Sequence, residues 1–271
     1  MKKEPMDRMD ELEAQSIYII REAFYHYKNL AILWSIGKDS TVLMWLVRKA
    51  FFGNVPFPAL HIDTSYKFEK MYKFRDEYAK KWNIDLKVAR NEKAIAEGMS
   101  NEKKFDCCNA LKTEGLKMGI AKFGFEALIL GIRRDEHGIR SKERTFSPRN
   151  EKFEWNYKDQ PPELWNQYKN ETEEKSHIRV HPLLHWTEVD IWYYIKREEI
   201  PITDLYFDQG DGKRFRSIGC EPCCGKIDSC ASNIDDMIDE LENTNTSERA
   251  GRAQDKEDAT TMQKLRALGY M

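Results

Sequence analysis

Residues 30–52, LAILWSIGKDSTVLMWLVRKAFF, constrain the fold more than any other stretch of the chain. Residues 30–34 are a short apolar run, and Ser35-Ile36-Gly37-Lys38-Asp39-Ser40-Thr41 follow. Val42, Leu43, Leu46, Val47 and Ala50 then recur at helical spacing, with Arg48 and Lys49 on the other face. The pattern predicts a buried strand, a tight polar turn and a helix. Such a turn aims backbone N–H groups and a helix N-terminus at one point, which suits a phosphate. Gly37 offers a positive φ or a close backbone approach. Ser35, Ser40 and Thr41 offer hydroxyls, and Lys38 a point charge. The segment lacks the longer loop and second glycine of the G-x-x-x-x-G-K-[ST] nucleotide motif. Taken alone it also fits an ordinary strand–turn–helix with Ser40 as a helix cap.

The flanking sequence extends this unit. Residues 10–27 read as an amphipathic leading helix. Residues 59–62 make a second buried strand ending at Asp63-Thr64, and residues 67–82 a helix with Met71, Phe74 and Tyr78 on one face. Residues 86–89 are a third strand, 108–123 a helix, 127–132 a fourth strand and 178–184 a fifth, while residues 91–106 carry little pattern. Alternating strands and helices imply an α/β fold: a doubly wound, mostly parallel five-stranded sheet with helices on both faces. The expected division is an α/β domain over residues 1–200 and an irregular C-terminal extension over 201–271, holding a cysteine loop, a short helix at 234–243 and a charged tail.

Ligands of such sheets sit beyond the carboxyl ends of the strands. Three polar groups fall there: the turn after the first strand, Asp63-Thr64 after the second, and Arg133-Arg134-Asp135-Glu136 after the fourth. Asp63 alone would fit a turn or cap. Two arginines at a strand end facing an anion site favour oxyanion binding over a solvated charge run. Arg144 and Arg149 lie in a polar excursion, residues 140–150, where they either reach the site or solvate a loop, with solvent favoured for each; a second excursion covers 155–175, where Pro161-Pro162 precludes a continuous helix. Thr187 caps a helix, with Asp190 completing a near capping box. His177, His181 and His185 recur every fourth residue, but Pro182 prevents one helix face from holding them, so core or surface positions are expected over a metal site.

Composition narrows the function. A chain of 271 residues fits one large domain or a domain with appendages. Its net charge of −2 gives no basic field for bulk nucleic-acid binding, and no basic, aromatic-interleaved patch suggests one, so nucleic acid is not an expected partner. No apolar run approaches the ~20 residues of a membrane span. The first residues hold two lysines with no apolar core behind them, unlike a secretory signal, so a cytoplasmic protein without membrane association is expected. The six cysteines, Cys107, Cys108, Cys220, Cys223, Cys224 and Cys230, are then not a disulfide framework.

The Ser35–Ser40 stretch resembles the PP-loop of the N-type ATP pyrophosphatases, S-G-G-x-D-S, which grips ATP phosphates while the α–β bond is cut. Ile36 stands where many members have glycine, and S-I-G-K-D-S is familiar in the ATP sulfurylase small subunits. His61-Ile62-Asp63-Thr64 with residues 67–76, Lys112-Thr113-Glu114-Gly115-Leu116, Arg133-Arg134-Asp135-Glu136, residues 179–183 and 186–192, and Thr246-Ser247-Glu248-Arg249-Ala250-Gly251-Arg252 are similar to the same family, in order along nearly the whole chain. The chain is shorter than typical members, mainly between Tyr206 and Lys213. The resemblance implies that ATP and sulfate give adenosine 5′-phosphosulfate and pyrophosphate, with coupling to GTP hydrolysis on an elongation-factor-like GTPase large subunit. It implies Ser35, Gly37, Lys38, Asp39 and Ser40 at the pyrophosphate, with Asp39 bracing the loop or holding Mg²⁺. It places Asp63 beside the adenosine, and Arg133 and Arg134 at sulfate or the α-phosphate.

Cys107-Cys108 with Cys220-x-x-Cys223 is not required by that family. It resembles the 4Fe–4S motif of the assimilatory adenylyl-sulfate reductases of the same superfamily. Four thiolates in two pairs also suit structural zinc, although adjacent cysteines are unusual zinc ligands. A set of buried apolar cysteines is the plain alternative. An adenylyl-sulfate reductase would need a nucleophilic cysteine near the C-terminus, and none follows Cys230. An adenylating sulfurtransferase using the cluster, or a catalytically silent nucleotide-binding regulator, are the other readings.

Overall fold

The computed structural model describes residues 7–102, 104–136, 138–158, 160, 163, 177–244 and 248. In chain order they form α1 (Arg8–His26), β1 (Leu30–Leu33), α2 (Lys38–Ala50), β2 (Ala59–Ile62), α3 (Glu69–Lys81), β3 (Leu86–Ala89), α4 (Glu92–Ala96) and α5 (Lys104–Cys107). A π-helical turn (Cys108–Thr113) leads into α6 (Glu114–Phe123); then come β4 (Ala127–Ile129), β5 (Phe146–Arg149), β6 (His177–Val180), α7 (Glu188–Glu198), a β7–β8 hairpin (Lys213–Arg214, Ile227–Asp228) and α8 (Ile234–Asn243). The second polar excursion and the tail from residue 245 lie outside the described residues, apart from isolated positions that include Glu163 and Glu248.

Six strands form the main sheet, in the order β3-β2-β1-β4-β6-β5. All pairs are parallel except β5–β6. β1, β2, β4 and β6 are buried at every position, because helices cover both faces and neither needs polar residues. The larger core, on one face, joins α1, α2 and α7 through Ile20, Leu43, Val47, Ile191 and Trp192. The smaller core, on the other, packs Leu116 and Ile120 of α6 against Leu60, Ile62 and Leu128. Tyr206, Ile218, Ala231, Met237, Ile238 and Leu241 belong to the larger core, so the segment after residue 200 is packed onto the sheet as far as α8.

The sixth strand corrects the five-strand expectation. β5 lies inside the stretch read as a polar excursion, and it contains Pro148. Proline is tolerated there because β5 is an edge strand. Arg149 is correspondingly not a solvent residue: it is 1% exposed, and its Nη2 donates to Glu143 at 2.9 Å. The Thr187–Asp190 capping box forms, and Arg8 of α1 grips the same Asp190 carboxylate with two bonds of 3.0 and 2.8 Å. His177 and His181 are core residues and His185 is exposed. No described helix is long and apolar enough to cross a membrane.

Candidate active site

Strand order reverses beside β1, which is flanked by β2 on one side and β4 on the other. The crevice beyond the carboxyl ends of β1 and β4 is therefore the topological switch point, where open α/β sheets bind ligands. A cleft opens there, lined by Ser35, Gly37, Lys38, Asp39 and Ser40 of the PP-loop, and by Gly131 and Ile132 after β4. Its far wall holds Lys67, Lys112, Tyr206 and residues 217–219.

The loop is built differently from the sequence expectation. Ile36, not Gly37, takes the left-handed conformation, with φ of 69°, and its side chain is buried in the larger core. Gly37 has φ of −74° and is the N-cap of α2. A Cβ on Gly37 would meet Ser35 Oγ at 3.5 Å and Tyr206 OH at 3.6 Å, both ordinary contacts. The close approach belongs to Gly131, where a Cβ would lie 3.1 Å from the carbonyl C and O of Asp39 and from Ser40 N. Ser40 is not the cap: it lies within α2, and its hydroxyl donates to the Gly37 carbonyl at 3.0 Å and bonds Ser35 Oγ at 3.0 Å. The Lys38 amide donates to the Tyr206 hydroxyl at 2.8 Å, tying the start of α2 to the segment beyond α7.

Lys38 and Arg133 come from different strand ends and meet in the crevice, each no more than 1% exposed. Arg133 pairs with Asp39, and its Nε donates to Asp135 at 3.0 Å. Lys38 Nζ lies 3.5 Å from Asp39 and 3.7 Å from Glu188. Glu188 is held by Arg216 at 2.8 Å, while its amide donates to Asp135 at 2.8 Å. Glu248 completes the group, pairing one carboxylate oxygen with Lys38 and the other with Arg133. Burial alone would raise the Glu248 carboxyl, but Arg133 and Lys38 outweigh it and hold it well below the usual carboxylate range. Asp39 thus acts as a brace between the two cations.

Other expected residues sit apart from this group. Arg134 turns away from Arg133: its Nη1 lies 3.3 Å from the His185 ring and its Nη2 donates to the Glu143 carbonyl at 3.2 Å. Asp63, at the end of β2, accepts from the Ser65 amide at 2.8 Å and the Tyr72 hydroxyl at 2.6 Å, so it carries the turn role. Glu188, Arg216 and Tyr206 were not singled out from the sequence. Only Glu188 had a local signal, as the residue after a cap.

Cys107, Cys108, Cys220 and Cys223 are all buried free thiols. Burial pushes the Cys107 thiol up to about 11, and the thiols of Cys108, Cys220 and Cys223 add to the rise while Lys112 opposes it. Burial likewise raises Cys223. The two distant pairs thus share one neighbourhood beside Lys112, which also lines the cleft. Among the described residues no three Cys, His, Asp or Glu side chains converge as on a single metal ion. Cys220 Sγ bonds Thr64 Oγ1 at 3.1 Å, Cys224 Sγ accepts from the Gly219 amide at 3.1 Å, and Cys230 is exposed.

With this geometry in place, comparison with known proteins identifies the class. The phosphoadenosine phosphosulfate reductase domain matches residues 29–226, and the chain belongs to that domain family. The phosphoadenylyl-sulfate reductase of Candida auris shares the fold at a TM-score of 0.55 and 18% identity, over 81% of this chain and 97% of that one. The FMN adenylyltransferase of Candida glabrata does so at 0.60 and 17%, over 94% and 92%. Sulfate adenylyltransferase subunit 2 of Psychromonas ingrahamii is 41% identical over the full length of both chains, and that of Aeromonas hydrophila 40%. Within the domain family, the chain is a member of the sulfate adenylyltransferase subunit 2 family.

Proposed function

We propose that the chain forms adenosine 5′-phosphosulfate and pyrophosphate from ATP and sulfate. A sulfate oxygen attacks the α-phosphorus, the bond to the β-phosphate's bridging oxygen breaks, and pyrophosphate leaves with that electron pair. The reaction needs two anions brought together and charge stabilised on the leaving group, not a covalent nucleophile. The observation that carries this reading is the convergence of buried Lys38 and Arg133 on one carboxylate-sized position at the switch crevice. In it Ser35, Gly37, Lys38, Asp39 and Ser40 hold the departing pyrophosphate at the N-terminus of α2, and Mg²⁺ arrives with the triphosphate. Arg133 meets the α-phosphate, Arg134 serves the sulfate side, and Asp63 lies beside the adenosine. The subunit number in the relatives' name supports a partner subunit. We assign that partner as an elongation-factor-like GTPase that drives the unfavourable anhydride synthesis. Pyrophosphate release from ATP, measured with and without sulfate and with and without the GTPase, tests the proposal. Release that depends on sulfate is expected; release indifferent to it would overturn the reading in favour of a sulfurtransferase.

A second reading concerns the cysteines: Cys107, Cys108, Cys220 and Cys223 hold a 4Fe–4S cluster, with zinc as the alternative. Its support is the shared burial of four thiols from two distant segments. Bound there, a cluster would supply electron storage or a fixed charge beside the cleft. Cys107 and Cys223, whose thiols burial pushes up, must lose protons to bind, so iron loading should rise from pH 6.5 to 8.5. Anaerobically purified protein with no iron, zinc or visible absorption would dispose of both metals.

A further inference from the structure

Arg48 and Lys49 are neighbours on α2 with different surroundings. Lys49 Nζ is held by Glu13 at 2.7 Å and by Glu198 at 3.1 Å. Half-buried Arg48 has no carboxylate partner among the described residues. Its guanidinium carbon lies 5.0 Å from the ring centroids of both Trp45 and Trp82, and its Nε is buried without a hydrogen-bond partner. Burial lowers the pKa of the guanidinium, and no neighbouring charge opposes the shift. The ring faces offset part of the desolvation cost, and an anion would offset the rest.

A groove opens around it where α2, α3 and the end of α7 meet, lined by Trp45, Arg48, Tyr78, Lys81, Trp82 and Glu199. Lys81 is exposed and stands 5.2 Å over the Tyr78 ring, and it too has no ion pair among the described residues. Glu199 is the single acid of the lining and pairs with neither cation. Tryptophan, tyrosine and arginine are the residues that most often anchor one protein to another. Two cations against one acid fit an acidic partner, and a carboxylate suits the Nη edge of a guanidinium. The groove is also linked to the cleft. Trp82 packs on Trp34 with centroids 6.2 Å apart. Trp34 is fully buried and lines the cleft, and its Nε1 donates to Thr41 in the first turn of α2 at 3.4 Å. Arg48 itself lies about 15 Å along the same helix from Lys38. One ring and one rigid helix thus lead from the groove to the PP-loop.

We propose that this groove is the docking site for an acidic segment of the partner subunit, which places a carboxylate on Arg48 and holds α2 from its far end. This rests on the partner reading above. Docking there steadies Trp34 and the first turn of α2, so the partner acts on the PP-loop without entering the cleft.

Calorimetric titration of the full chain with the elongation-factor-like GTPase large subunit tests this. Arg48→Met keeps a stem between the rings and removes the charge, so it should weaken binding about thirtyfold. Lys81→Glu changes only an exposed charge and should weaken binding about tenfold. Sulfate-dependent pyrophosphate release by the chain alone should match the wild type in both variants, while its stimulation by the GTPase falls with binding. Loss of the unassisted rate as well would show a merely structural role and overturn the proposal. Wild-type affinity in both variants overturns the docking site and leaves the partner standing. Failure of the wild type to bind the GTPase overturns the partner and the docking site together. Sedimentation of the chain alone exposes another occupant: self-association that Arg48→Met abolishes would mean that a second copy fills the groove, and it too overturns the proposal.

Discussion

Gly131→Ala probes how tightly the segment leaving β4 supports the PP-loop. The added methyl would lie 3.1 Å from three backbone atoms, the carbonyl C and O of Asp39 and Ser40 N. No side chain can swing aside to admit it. Those atoms belong to the first turn of α2, which is fixed from behind by buried Val42, Leu43, Leu46 and Val47. The loop must shift by a few tenths of an ångström against β4. Overpacking of this kind costs about 1–3 kcal/mol, or roughly 2–6 °C of melting temperature for a chain of this size. The same shift moves Lys38 and Asp39 relative to Arg133, two residues beyond the substitution. If a 1 Å misplacement costs about 100-fold in rate, a third of that costs about fivefold. Thermal unfolding and sulfate-dependent pyrophosphate release would measure the two effects. Gly138→Ala is the control, since a Cβ there meets nothing within 4 Å. A Gly131→Ala protein that melts and turns over like the wild type would refute the claim that this contact positions the loop.

Acid should unfold the protein through three buried imidazoles. Burial lowers His61 to about 3 and His181 to about 3, and lowers His177 as well, against an unfolded value near 6.5. The neutral forms favour folding, so stability is complete above pH 6.5 and is lost as pH falls towards the folded values. Between pH 7.5 and 5 the three together should cost about 6 kcal/mol, and equal urea midpoints at those two pH values would contradict this. Tyr206→Phe removes the acceptor of the Lys38 amide. It should cost about 1–3 kcal/mol in the ligand-free protein and lower the melting temperature accordingly; an unchanged melting temperature would show that the bond carries nothing.

The parallel strands were legible because residues buried on both faces write themselves as unbroken apolar runs, as in LAIL of β1 and ALI of β4. β5 was not, because an edge strand admits proline and charge, and FSPR has both. The crevice was legible as a place, since strand ends and a polar turn mark it. Its internal wiring was not. Arg133 and Arg134 are neighbours in sequence, yet one enters the crevice and the other faces His185, a choice made by backbone direction that no composition records. Tyr206 and Arg216 reach the site across long sequence separations from an irregular segment. Gly37 offers a positive φ or a close backbone approach by its residue type, yet the left-handed position falls to Ile36, which the larger core holds there.

That isoleucine has a wider effect. A left-handed turn costs an L-residue roughly 1–2 kcal/mol, and here the cost is met by sinking the side chain into the packing shared with α1, α2 and α7. The turn cannot relax without extracting its own anchor from the interior. Mutations of distant interior neighbours, none of them near a phosphate, should therefore register first as slower chemistry and only later as unfolding. Catalytic rate in this protein would then serve as a gauge of how well its interior is packed.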